Sequence, residues 1–307
     1  MASKVYWADL RADFHENLQQ KLTRLMKTAG MGEIDFDRKF VAIKMHFGEP
    51  GNLAFLRPNW AKTVADFVKE RGGKPFLTDC NTLYVGGRKN GLDHLDTACL
   101  NGFNPMTTGC QVIIADGIKG SDEVAVPVVG GQLVKEAKIG RAVMDADVFI
   151  SLTHFKGHVM GGFGGSLKNI AIGCASGKTG KAQLHSDGTN LWAGGPLFME
   201  RMVEGGKAIT THFKGHMAYI NVLRRMSVDC DCAGTSAAEP TAPDIGILAS
   251  TDLLAVDQAS VDMVYALPEK QRHDLVERIE SRSGLRQLEY METMGMGHAR
   301  YDLVSLS

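Results

Sequence analysis

No apolar run in this 307-residue chain approaches the ~18–20 residues that span a bilayer, so no membrane helix is expected. The opening stretch, MASKVYWADLRADFHENL, carries Lys4, Asp9, Arg11, Asp13 and Glu16 and has no apolar h-region. It does not read as a secretory signal, and a cytoplasmic protein is expected. Charge of one sign is missing too: 34 Lys and Arg stand against 35 Asp and Glu. Without a basic excess the chain is not expected to bind nucleic acid. No two cysteines have C-x₂-C spacing, which excludes a zinc ribbon, a thioredoxin motif and a ferredoxin run. The order G-x-x-x-x-G-K-[ST] of a nucleoside triphosphatase is absent as well.

What is there points to an ordinary globular chain. Hydrophobic residues make up 44% and charged ones 22%, which allows a substantial core. The 35 glycines, about 11% against roughly 7% on average, suggest many tight loops between short elements. Strand-like patterns lie at residues 4–10, 40–48, 74–79, 111–117, 147–155, 217–223 and 244–250. Helical spacing lies at 16–29, after Pro58, at 165–172, at 255–266 and from 268 to about 294. VAVPVVGGQLVKEAKI reads as a hairpin across Gly130-Gly131. Strands alternating with helices predict an α/β fold, a mostly parallel or mixed sheet flanked by helices, with an antiparallel hairpin. One domain over 1–307 is expected, with a short interruption near 176–205. Two stretches have no period, 176–195 and 229–243. The hexapeptide THFKGH occurs twice, at 153–158 and 211–216.

Several residues could carry chemistry. His154 ends an apolar strand and His158 follows four residues later, in the crevice where α/β sheets bind ligands. The pair either holds a borderline metal such as zinc or ferrous iron, or hydrogen-bonds to loop backbone. Cys230 and Cys232, in Asp-Cys-Asp-Cys, are either two converging ligands or surface thiols beside surface aspartates. Cys174 is a third ligand candidate or a small packing residue. His185, in His-Ser-Asp, caps the centre or belongs to a polar loop. Lys44, inside a strand pattern, faces a site or a sheet edge, and His46, Glu49 and Asp79 share its crevice. The run GGFGGSLKN places Gly161, Gly162, Gly164, Gly165 and Ser166 at a helix start, with Lys168 one turn in. Exposed N–H groups there attract an anion, or the glycines merely allow close packing.

FVAIKMHFGEPGNLAFLRP, KPFLTDCNTLYVGGR, ISLTHFKGH, GFGGSLKNIAIGCASGKTGK, HSD, SVDCDC and PDIGILASTDLLAVDQASVD, in this order, resemble the family of uncharacterised Fe–S centre proteins built on the domain of unknown function 362. The resemblance implies an α/β core, and in many members a two-cluster ferredoxin module after the His-Ser-Asp segment. Between Asp187 and Met217 this chain has no cysteine, so the resemblance implies the core domain without that module.

The leading expectation is an intracellular metalloprotein, in one form a redox enzyme, acting on a small anionic substrate. Its centre would be a metal ion, iron or zinc, or an Fe–S cluster, held by His154, His158, Cys174, His185, Cys230 and Cys232. Lys44, Asp79 and Lys168 would position the substrate. The competing expectation is a metal-free binding protein or non-redox enzyme for a phosphorylated or carboxylated small molecule. A third is a scaffold that docks a separate ferredoxin-type electron carrier. Of the two THFKGH copies, only the first is expected to matter.

Overall fold

The structure is a computed structural model and describes residues 2–307. Twelve strands are found among these residues: β1 (Ser3–Ala8), β2 (Phe40–Lys44), β3 (Lys74–Asp79), β4 (Gln111–Ile114), β5 (Glu123–Pro127), β6 (Glu136–Gly140), β7 (Val148–His154), β8 (Lys156–His158), β9 (Gly162–Gly164), β10 (Met217–Leu223), β11 (Gly246–Ser250) and β12 (Tyr301–Ser305). Eight of them form one sheet in the order β12-β1-β11-β10-β7-β2-β3-β4. The block β10-β7-β2-β3-β4 is parallel throughout. Only β11 runs against its neighbours β1 and β10, which makes the sheet mixed. β5 and β6 form the expected antiparallel hairpin, with Val124 opposite Ile139.

The central strand β7 is buried along its whole length, as a parallel strand covered on both faces must be. Its side chains alternate between two cores. Val148, Ile150 and Leu152 meet the helices Leu18–Thr28 and Pro58–Lys69 on one face. Phe149 points the other way, toward the helices Ser166–Cys174, Pro196–His212 and Leu253–Tyr265. Period-two patterning therefore sorts one strand into two apolar layers.

Three expectations about elements change. The stretch 176–205 is not a continuous interruption: it contains the helix Gly180–His185, and the helix Pro196–His212 begins within it. Phe198, Met199, Met202 and Val203 bury that second helix, and Pro196 starts it at the position where a missing N–H is harmless. The single helix expected at 268–294 is two, Glu269–Ser281 and Arg286–Thr293, because Ser283 takes a left-handed backbone (φ +56°) and Gly284 follows. The edge strand β12 carries no apolar alternation and had no counterpart in the pattern. Among the described residues no helix is long and apolar enough to cross a membrane.

Candidate functional site

Because β2, β3, β7 and β10 are parallel, they all end on the same side of the sheet. The loops that follow them enclose a cleft of about 170 Å³. Lys44, Asp79 and His154 stand at its base as the last residues of their strands. Around it lie the β8–β9 hairpin, the helix Ser166–Cys174, the helix Gly180–His185 and the segment carrying Cys230 and Cys232.

In this cleft the ligand atoms of His158, Cys230 and Cys232 lie within 4.8 Å of one another. Close backbone packing brings them together. The Gly157 N–H donates to the Ser227 carbonyl at 2.8 Å, and a Cβ on Gly157 would stand 2.3 Å from the Val228 carbonyl oxygen. Only glycine lets β8 lie so near the chain that leads into Cys230. The imidazole of His158 is held by its Nδ1, which accepts from the Gly161 N–H at 2.9 Å and the Met160 N–H at 3.2 Å. Its proton therefore sits on Nε2, and a cation bound through that atom displaces it. The two sulfurs share one charge readily. A hydrogen bond from the Cys232 thiol, with Lys168 and Lys156 close by, holds the Cys230 thiol well below its usual range. The same hydrogen bond, with burial, pushes the Cys232 thiol up.

Asp231, between the two cysteines, turns the other way. Its carboxylate accepts from His154 Nδ1 at 2.9 Å and from Lys156 Nζ at 3.0 Å. Burial works against this charge, yet His154 and Lys156 outweigh it and hold the carboxyl well below its usual range. The remaining nitrogen of His154, Nε2, faces the Arg224 carbonyl at 2.7 Å. Both ring nitrogens are thus committed, and the expectation of His154 as a metal ligand gives way to a role in seating the cysteine segment. Cys174 is corrected as well. It is fully buried in the apolar core, burial pushes its thiol up to about 12, and it lies outside the group of converging donors.

Lys44 and Asp79 do reach the cleft, but as members of a closed ion network. The Lys44 ammonium donates to Asn169 Oδ1 at 2.9 Å and to the Met45 carbonyl at 3.2 Å, and its nitrogen forms an ion pair with Asp79 at 3.0 Å. Asp79 also accepts from Arg88 at 2.9 Å, and Arg88 continues to Glu49 at 2.9 Å. Lys44 therefore has no free donor for a substrate, and Asp79 is no general base, because Lys44 and Arg88 overcome burial and keep it ionised.

The glycine-rich anion cradle is overturned. The N–H groups of Ser166 and Leu167, which open the helix Ser166–Cys174, donate to the two oxygens of Asp257 at 2.7 and 2.8 Å. This chain's own carboxylate occupies the place of the expected ion. A Cβ on Gly165 would stand 2.5 Å from Asp257, and one on Gly162 (φ +72°) would stand 2.8 Å from Gly284 Cα. Gly161 lies in the β8–β9 turn and Gly164 pairs with Lys156 at the other end of that hairpin, so the run Gly161, Gly162, Gly164, Gly165 and Ser166 serves packing and capping.

His185 lines the cleft outside the donor group; its Nδ1 donates to the Lys181 carbonyl at 2.7 Å, and burial pushes it down to about 4. Lys168 lines the cleft with no side-chain ion pair among the described residues. His46 lines it too, with Nδ1 accepting from the Gly48 N–H at 2.9 Å and Nε2 buried without a partner. Sequence reasoning missed Arg88, Asp257 and Lys181. Lys181 had a signal: it precedes His185 by four residues, one turn on the same helical face. The second THFKGH copy stays away from the cleft, with His212 and His216 exposed.

Residues 41–262 match the profile of a family described as a domain of unknown function, DUF362. A thylakoid-associated protein of Synechocystis is 28% identical over 250 residues, which is 80% of this chain and 72% of that protein. Among solved structures, the lactate racemase apoprotein of Thermoanaerobacterium thermosaccharolyticum shares the fold, with a TM-score of 0.50 and 12% identity. That match covers 85% of this chain and 57% of the racemase chain.

Proposed function

The chain belongs to the DUF362 family, and on that premise we propose that it is a metal-dependent enzyme acting on a small anionic molecule. The observation that carries this reading is the convergence of His158, Cys230 and Cys232 inside a cleft that also holds Lys168, which has no side-chain ion pair among the described residues. Two thiolates and an imidazole suit a borderline or soft ion such as zinc or iron. Three protein ligands leave a coordination position open, as in catalytic sites and unlike closed structural ones. A bound ion would polarise a substrate oxygen at that position. The donor set fits a mononuclear ion better than an Fe–S cluster, which takes four protein ligands, normally thiolates. Here two cysteines converge, Cys174 is in the core, and Cys80 turns its thiol to the Cys174 carbonyl at 3.2 Å.

This chain's own groups would do the rest. Lys168 offers an ammonium to an anion, and His46, a neutral imidazole whose Nδ1 accepts from the Gly48 N–H, offers its Nε2–H as a hydrogen-bond donor to a ligand oxygen. The name of the racemase supports the substrate class, since lactate is a small carboxylate.

Metal analysis of protein purified without oxygen tests the reading. About one zinc or iron per chain is expected, with no acid-labile sulfide. In the Cys230→Ser/Cys232→Ser double variant the metal should be lost while the circular dichroism stays unchanged. Full occupancy in that variant would remove both cysteines from the ligand set. A wild-type protein that takes up neither zinc nor ferrous iron would leave a metal-free anion-binding protein as the better account.

A further inference from the structure

One buried charge in the cleft has too few partners. Lys181 is 6% exposed and lines the cleft, yet among the described residues its ammonium donates only to the Ala175 carbonyl, at 2.7 Å. An ammonium carries three donors, so two are uncommitted, and no carboxylate among the described residues lies at ion-pair distance. Lys44, in the same cleft, is saturated by comparison. The fold seats Lys181 closely all the same. Its N–H donates to the Ser176 carbonyl at 2.8 Å, and a Cβ on the preceding Gly180 would stand 2.2 Å from the Lys138 carbonyl oxygen. A buried ammonium without an anion is unfavourable, and a ligand carboxylate would relieve it.

The mouth of the cleft is of the opposite character. Trp192 is 44% exposed and Val159 is 55% exposed, and both line the cleft together with Leu83 and Met160. The Trp192 ring meets the His185 ring edge-on at 5.3 Å between centroids, which fixes the indole beside the entrance. Exposed apolar groups gathered at an entrance are a surface that a ligand can cover.

We infer that the substrate of this cleft is an amphipathic carboxylate: its carboxylate pairs with Lys181 at the floor, and its apolar arm lies against Trp192, Met160 and Val159 at the mouth. This rests on the reading of the cleft as a site for a small anion, but not on the metal. Lys181 is a binding residue here, and Trp192 sets specificity for the arm.

Calorimetric titration with propionate, hexanoate, hexanol and hexyl phosphate tests it, on wild-type protein and on the Cys230→Ser/Cys232→Ser variant. Hexanoate should bind about tenfold or more tightly than propionate, because three added methylenes are buried. Lys181→Met and Lys181→Gln should each weaken hexanoate about tenfold, and Lys181→Arg should recover most of that loss. Trp192→Ala should bring hexanoate close to propionate and leave propionate unchanged. These differences should persist in the cysteine variant, so loss of metal there bears on the metal reading alone. Equal binding of propionate and hexanoate would overturn the apolar arm. Hexanol as tight as hexanoate, or folded Lys181 variants with unchanged affinity, would overturn the carboxylate anchor. Hexyl phosphate binding more tightly than hexanoate would replace the carboxylate by a phosphate.

Discussion

Asp231 shows how a single side chain fixes the geometry of two neighbours. It sits between Cys230 and Cys232 and is 2% exposed, with two partners, the His154 imidazole and the Lys156 ammonium, that are themselves buried. Removing one member of such a buried group leaves uncompensated charge, and the typical loss is about 3–5 kcal/mol. Asp231→Ala should therefore lower stability by about 3–5 kcal/mol, read as a fall in the urea midpoint. Asp187→Ala, at an exposed position whose hydrogen bonds to Thr189 and Asn190 are open to water, should change it by no more than about 1 kcal/mol. If the two variants unfold at the same urea concentration, His154 and Lys156 have other partners in solution. The Asp-Cys-Asp-Cys string could be singled out in the sequence as a candidate ligand source, but the direction of its central carboxylate could not be read there. A tight turn sends alternate side chains to opposite sides, and only the tertiary position of His154 and Lys156 reveals which side is the cleft.

The helix Ser166–Cys174 makes the same point for an element. Its start was visible in the sequence from the glycine run and the apolar residues after it. Its cap was not, because Asp257 lies 91 residues from Ser166. Asn221 completes the arrangement, donating to Asp257 at 2.8 Å and accepting from Ser166 Oγ at 2.8 Å. Burial is the largest influence on Asp257 and pushes its carboxyl up to about 6, although the Leu167 and Ser166 amides and Asn221 pull it down. The sign follows from the unfolded value of 3.8. With a folded value above it, the stability this group contributes is full below about pH 4 and is lost as pH rises through about 6. Relative to Asp257→Asn, the wild type should thus lose roughly 2 kcal/mol between pH 4 and pH 7. Urea titrations of both proteins at the two pH values give the difference. A wild-type advantage that grows with pH would mean that the carboxylate is better solvated than the structure shows. The amphipathic helices and the strands of the parallel block were legible because their periodicity is local. The cap, the ion network through Arg88 and the strand β12 were not, because each depends on residues far apart in the chain.

At the scale of the whole molecule, the direction of the strands decides which of two identical hexapeptides can act. β7 and β10 are parallel neighbours. The first THFKGH begins within β7 and runs out of its carboxyl end, so His158 enters the cleft. The second finishes the helix Pro196–His212 and leads into the amino end of β10, where the His216 carbonyl accepts from the Phe149 N–H near the start of β7 at 2.9 Å. The same six residues therefore lie at opposite ends of two neighbouring strands, separated by a seven-residue strand, or roughly 20 Å at ~3.3 Å per residue. Sequence identity between the copies carries no equivalence of position. His158→Ala should lose most of the bound zinc or iron, since two sulfurs remain of three donors. His212→Ala and His216→Ala should retain it in full, because both side chains face solvent at the far end of the strands. Metal content after dialysis against a weak chelator separates the three variants. Equal loss from His158→Ala and His212→Ala would place a second metal at the other end of the sheet. Full retention in His158→Ala would show that the two cysteines hold the ion without it.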